Sequence, residues 1–207
     1  MNDGYISVLD DISSDSPTPG GGTVAALTLS HAHSLAEMVA RLTVGKKKWA
    51  SGQEIAEQII LYCSDARKKS LTLAKDDSDA FTEVMIAYRL SKSNDNEVRL
   101  RKKAILTATI GAASIPLSIA IEGHKLLSQL PELGLHGNSN AITDLAASSE
   151  LAYTSVYIAY LNVKINVDSI IDEELDRIHK EAEEILFESK NLIHEIRLIV
   201  SNRMEQK

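Results

Sequence analysis

The chain carries a single cysteine, Cys63, so no internal disulfide can form. Cys63 lies in an apolar helical stretch with no His or Asp motif beside it, which reads as a core thiol and not a nucleophile. Aromatic residues make up 4% of the chain against 44% hydrophobic residues. The core therefore falls to Ala, Leu, Ile and Val, and small residues at helix contacts allow close approach. No long basic stripe is present and the net charge is -7, which argues against a nucleic-acid partner. No charged, apolar and small-residue pattern opens the chain, which sets a cytoplasmic expectation. The uncharged run 105–121 is short for a membrane span and is interrupted by Pro116. It reads as a buried bundle helix, with no membrane partner. No His-x-x-x-His or His-Glu-x-x-His pattern occurs, and His31 and His33 diverge on a helix, so no metal is expected.

No segment alternates apolar and polar residues with period two, so no strand is expected. The patterns predict helices over about 4–13, 23–44, 52–90, 95–130 and 139–169, and a last one from about Asp172. The third carries a candidate break near Asp76–Ser78. Pro116 should kink the fourth, and 131–138 reads as a loop containing Gly134 and Gly137. His33 and His124 read as core-edge residues. The expected fold is all-α: a bundle of long, partly kinked helices with antiparallel neighbours. With no repeat or linker, residues 1–207 read as a single helical domain. Between 104 and 163 the only charged side chains are Glu122, Lys125, Glu132, Asp144 and Glu150. Helices so poor in charge must be covered by other helices or by a partner subunit. In the last helix, Leu175, Ile178, Ala182, Ile185, Ser189, Leu192, Ile196 and Ile199 form a narrow heptad seam. That seam suits either packing on the bundle or a dimer contact.

The densest information lies in 16–49. Ser16-Pro17-Thr18-Pro19-Gly20-Gly21-Gly22-Thr23 joins a stiff entry to a bare backbone turn. Thr23 can cap the helix that follows. That helix ends near Leu42-Thr43-Val44-Gly45, with Lys46, Lys47 and Lys48 just beyond, where the helix dipole favours positive charge. A ligand could thus meet N–H groups at one end and lysines at the other. The glycines fit neither a Walker loop nor a dinucleotide fingerprint.

These passages, together with Asp77-Ser78-Asp79-Ala80-Phe81, Gly137-Asn138-Ser139-Asn140-Ala141-Ile142-Thr143-Asp144 and Leu161-Asn162-Val163-Lys164-Ile165-Asn166, resemble the formiminotransferase-cyclodeaminase C-terminal family. That family includes free-standing methenyltetrahydrofolate cyclohydrolases. The resemblance runs over nearly the whole chain.

From the residues alone, Asp144 or Asn140 caps a helix start; the resemblance implies that Asp144 is an acid–base residue, with Asn140 beside it. Lys46, Lys47 and Lys48 alone read as a solvated cluster. The resemblance implies that they attract the glutamate tail of a folate, with Lys47 able to enter the chemistry. Asp77, and not Asp76 or Asp79, matches the family's recurring aspartate, as a ligand contact or a helix tie. Asn162 and Asn166 share a helix face, for interhelical hydrogen bonds or for a pterin ring. Gly20, Gly21 and Gly22 suit a tight turn and backbone contact with a ligand. His136 is a further site candidate.

The resemblance implies an enzyme acting on the one-carbon bridge between folate nitrogens 5 and 10. A cyclohydrolase opens a methenyl bridge to a formyl group, while a cyclodeaminase closes the bridge from a formimino group and expels ammonia. Neither reaction needs a bound cofactor. The chain carries no transferase domain, which tips the expectation towards the cyclohydrolase. A homodimer is expected. The competing class is a non-catalytic helical assembly or binding protein.

Overall fold

A computed structural model describes residues 4–168 and 170–205, and every regular element among them is helical. Short α1 (Tyr5–Ile12) precedes α2 (Gly21–Thr43), α3 (Gln53–Arg89) and α4 (Asp95–Leu127). Short α5 (Leu130–His136), α6 (Ile142–Val167) and α7 (Glu173–Glu205) follow. Turns of 3-10 helix at Lys47–Gly52 and Ser139–Ala141 lead into α3 and α6. The expected end of the fifth helix at Ser169 lies outside the described residues.

Helices α2, α3, α4 and α6 form a square in which each is antiparallel to its neighbours. Small side chains set the α2–α6 approach. Ala25, Ala32, Ala36, Ala152 and Ala159 are fully buried. Ser148 Oγ donates to the Ala32 carbonyl at 2.8 Å, and Ser155 Oγ donates to that of Ala25. Gly123 gives α4 the same close contact with α6: a Cβ there would lie 2.7 Å from Val156 Cγ2.

Helix α7 lies along α4 and α6. It turns back from α6 and is therefore parallel to α4, a departure from antiparallel neighbours. Leu175, Ile178, Ala182, Ser189, Ile196 and Ile199 of the seam are buried, as is Ile193. The seam faces the chain's own bundle, so it is not a free dimer contact.

Several local expectations change. Helix α3 runs unbroken through Asp76–Ser78. The segment expected as a loop over 131–138 is mostly α5, because Pro131 starts a helix as readily as it breaks one and Leu130 and Leu133 are buried. His33 is fully buried, not at the core edge.

Pro116 sits inside a continuous α4. It removes the N–H that would bond the Ala112 carbonyl. Asn166 Nδ2 from α6 donates to that carbonyl at 2.9 Å. A side chain on one helix thus repairs a defect in another.

Candidate functional site

The glycine turn builds one end of the site. Helix α2 begins at Gly21, with Gly20 at its N-cap and no side-chain cap. Thr23 is inside the first turn, so it does not cap the helix as expected. Its Oγ1 instead donates to Asp77 Oδ2 of α3 at 2.9 Å, and its backbone N–H also bonds this carboxylate. Asp77 therefore caps α2 from a neighbouring helix and meets the positive end of the α2 dipole. Gly22 makes the approach possible: a Cβ there would lie 2.2 Å from Asp77 Oδ1. Ser78 Oγ stands 2.9 Å from Thr23 Oγ1. Burial pushes the Asp77 carboxyl above its ordinary range, and the two Thr23 hydrogen bonds only partly oppose this.

Asp77 faces a cleft of about 320 Å³, together with Gly20, Gly21, Gly22, Asn162 and Asn166. Phe81, Val84, Ala112 and Ile165 supply its apolar wall. A few convergent polar groups in an apolar hollow is the usual make-up of a small-molecule site. The Asn162 amide nitrogen donates to the Ile158 carbonyl of its own helix at 2.9 Å. Asn166 serves the α4 backbone, as the interhelical reading held, while lining the cleft.

The other end of α2 holds the second group of residues. Gly45 has φ of +74° and follows the α2 C-cap at Val44, the usual place for a left-handed glycine. Lys46, Lys47 and Lys48 are exposed. Lys48 Nζ lies 4.6 Å from the Trp49 ring, and the Arg203 guanidinium lies 5.6 Å from it. Arg203 also donates to the carbonyls of Leu135, at 2.6 Å, and Gly137, at 2.8 Å. Asn138 Nδ2 donates to the Leu42 carbonyl at 2.9 Å, which ties the passage before α6 to the end of α2. Asn138 Oδ1, and neither Asn140 nor Asp144, accepts the capping bond, from Asn140 N–H at 3.0 Å. The capping reading of Asn140 and Asp144 is thereby corrected.

Asp144 is half-buried in the first turn of α6. The other carboxylates of the charge-poor stretch have partners. Glu122 meets Lys69 and Lys125, Glu132 meets His136 and Glu150 meets Arg197. Asp144 has no ion pair among the described residues. Burial would raise the Glu122 carboxyl, but the bonds from Lys69 and Lys125 outweigh it and hold the group below its usual range.

The sequence put the glycines and the lysines at opposite ends of one helix, and the structure sorts the remaining candidates between those ends. The 23 residues of α2 rise about 34 Å between the glycine cleft and the lysine end. Gly20, Gly21, Gly22, Asp77, Asn162 and Asn166 gather at one end. Lys46, Lys47, Lys48, Asn140 and Asp144 lie at the other. Sequence reasoning missed Thr23 as a partner of Asp77; its place right after the glycines suggested only a cap.

A larger groove of about 680 Å³ lies between α3 and α4, beyond the glycine cleft. Its floor includes Ile86, Leu90 and Leu100, with Asp79 and Glu83 on one wall and Lys103 on the other. Helix α3 extends about 18 Å past Asp77, so this hairpin overhangs the square.

A family model described as formiminotransferase-cyclodeaminase matches residues 5–184. A methenyltetrahydrofolate cyclohydrolase from Methylorubrum extorquens is 31% identical over 194 residues, covering 94% of this chain and 90% of that protein. A formimidoyltransferase-cyclodeaminase from Gallus gallus is 32% identical over 159 residues, covering 77% of this chain but 29% of that longer protein. The crystal structure of a formiminotetrahydrofolate cyclodeaminase from Thermotoga maritima matches with a TM-score of 0.84 and 30% identity, covering 94% of both chains.

Proposed function

Because the chain belongs to the formiminotransferase-cyclodeaminase family, we propose that it is a folate one-carbon enzyme. In this reading it adds water to the 5,10-methenyl bridge of a tetrahydrofolate and opens it to formyltetrahydrofolate. The observation that carries the reading is the similarity to a methenyltetrahydrofolate cyclohydrolase along 90% of that protein's length. The second reading, a cyclodeaminase that releases ammonia from formiminotetrahydrofolate, is favoured by the TM-score of 0.84 to a solved cyclodeaminase. Both reactions pass through a tetrahedral carbon between two nitrogens. Both require a base for the attacking atom and an acid for the departing nitrogen. Incubation with each folate separates them: methenyltetrahydrofolate loses its near-ultraviolet absorbance as it opens, while formiminotetrahydrofolate gains it and releases ammonia.

The glycine cleft suits the pterin ring, a flat polar group that Asn162 and Asp77 can address. Lys46, Lys47 and Lys48 suit the glutamate tail. Asp144 and Lys47, the family-implied acid–base residues, cannot reach the glycine cleft of their own protomer across the length of α2. The assembly proposed here is a homodimer. The overhanging groove supports such an assembly. Its apolar floor is uncovered, and Ile86, Leu90 and Leu100 are all more than 40% exposed. Its acidic α3 wall and its α4 wall, which carries Lys103, are complementary to the same walls of a two-fold copy. Sedimentation at micromolar concentration tests this; a fully active monomer would contradict it.

A further inference from the structure

We propose that Asp77 is the carboxylate that takes the proton from the attacking water, and that Thr23 is the residue that positions it. This rests on the folate reading above and assigns the proton transfer to the glycine cleft, where the family resemblance had implied Asp144.

Three observations carry the proposal. First, Asp77 is held in place by Thr23, through its hydroxyl and its backbone N–H. Thr23 gives Oδ2 its hydroxyl hydrogen at 2.9 Å, which fixes the plane of the carboxylate. Thr23 Oγ1 has one hydrogen, so with that bond made, Ser78 Oγ at 2.9 Å can only donate to it. The order Ser78, Thr23, Asp77 is a directed chain of hydroxyls ending on the carboxylate. Second, Thr23 is 5% exposed, so water does not compete for the bond. Third, no cation among the described residues pairs with Asp77. Thr23 bonds it and Gly22 packs against it from α2, and Asn162 and Asn166 from α6, Ala112 from α4 and Phe81 from its own helix share its cleft. The nearby lysine of α3, Lys75, is engaged with Asp79. A carboxylate tied down by a salt bridge is a poor base; one held by hydrogen bonds in an apolar cleft retains its proton affinity. The raised Asp77 carboxyl agrees with this.

The step balances as follows. A water oxygen forms a bond to the methenyl carbon. The π pair of the cationic bridge moves onto nitrogen, and the water proton passes to Asp77. The carbon is then a neutral carbinol between two nitrogens. Next, one carbon–nitrogen bond breaks with its pair going to that nitrogen, which takes the proton back from Asp77. The hydroxyl proton leaves to solvent as the formyl carbonyl forms, so one proton is released per turnover.

The test uses the full chain and four variants, with helix content checked by circular dichroism. We expect Asp77→Asn to lower kcat about a hundredfold or more with KM little changed, and Asp144→Asn to cost less. We expect Thr23→Val to move the acidic limb of the pH profile to higher pH, because removing the hydroxyl bond makes the carboxylate easier to protonate. Thr23→Ser should restore the limb. An Asp77→Asn variant that is folded, with normal kcat and a raised KM, would make Asp77 a ring anchor and overturn the proposal. So would a Thr23→Val variant with an unmoved limb, whatever its Tm. If the unmutated protein turns over neither folate, the folate reading falls and the proposal falls with it. If it is active and Asp77→Asn matches it, the proposal alone falls.

Discussion

His33 shows how a buried side chain sets behaviour in acid. It is fully buried, its ring edge-on to Tyr62, and Cys63 Sγ lies 3.7 Å from its Nδ1. Burial pushes its pKa down to about 4; Glu122 opposes the shift and Arg67 adds to it. Below its ordinary value of 6.5, the unfolded chain binds a proton at His33 that the folded chain refuses. The stability gained from the neutral ring is therefore complete above that value and is lost as pH falls towards about 4. The shift corresponds to about 3 kcal/mol. Thermal unfolding measured across this window should show a shallower acid loss in His33→Leu than in the unmutated protein. Burial likewise pushes the Cys63 thiol up to about 12. A thiol reagent should label it only on unfolding. At the lysine end, Lys46→Gln and Lys48→Gln should raise KM more for a polyglutamylated folate than for the monoglutamate. An equal rise on both would remove the tail assignment.

At the scale of elements, α4 and α6 are coupled through a single repaired defect. Asn166→Ala should cost about 1–3 kcal/mol by leaving the Ala112 carbonyl without its amide donor. In a Pro116→Ala background the new backbone N–H takes that carbonyl, so the same Asn166→Ala change should cost less. A double-mutant cycle read by denaturant unfolding measures the difference; additive losses would separate the two residues. The helices themselves were legible from the sequence because their apolar periods are long and their ends carry Gly or Asn. The α5 segment was not, since Pro131, Gly134 and Gly137 speak for a loop locally. Only burial of Leu130 and Leu133 against distant residues decides for a helix. The glycine turn, Asp77, Asn162 and Asn166 were each legible as site candidates. Their separation from Lys47 was legible too, since one helix lies between them, but their separation from Asp144 was not. A motif's order along the chain says nothing about which end of a 34 Å helix it occupies. Thr23 was misread for a related reason: its partner lies on another helix.

The whole molecule poses the question of assembly. A chain whose α3–α4 hairpin overhangs its bundle with an apolar groove open should dimerise at micromolar concentration, and light scattering should report twice the 22.6 kDa chain mass. The informative mixture pairs Asp77→Asn subunits with Lys47→Ala subunits, because these residues stand at opposite ends of one protomer. Partial recovery of activity in mixed dimers would place them in one site from two chains; no recovery would leave each end serving its own protomer. The central claim, an enzyme that opens the methenyl bridge of a folate, meets its most direct test in one trace. Methenyltetrahydrofolate is followed in the near ultraviolet with and without the protein. We expect its absorbance to fall faster than the spontaneous rate, in proportion to protein added, and Asp77→Asn to return the trace close to the spontaneous rate. A trace that stays at the spontaneous rate at every protein concentration would contradict the claim.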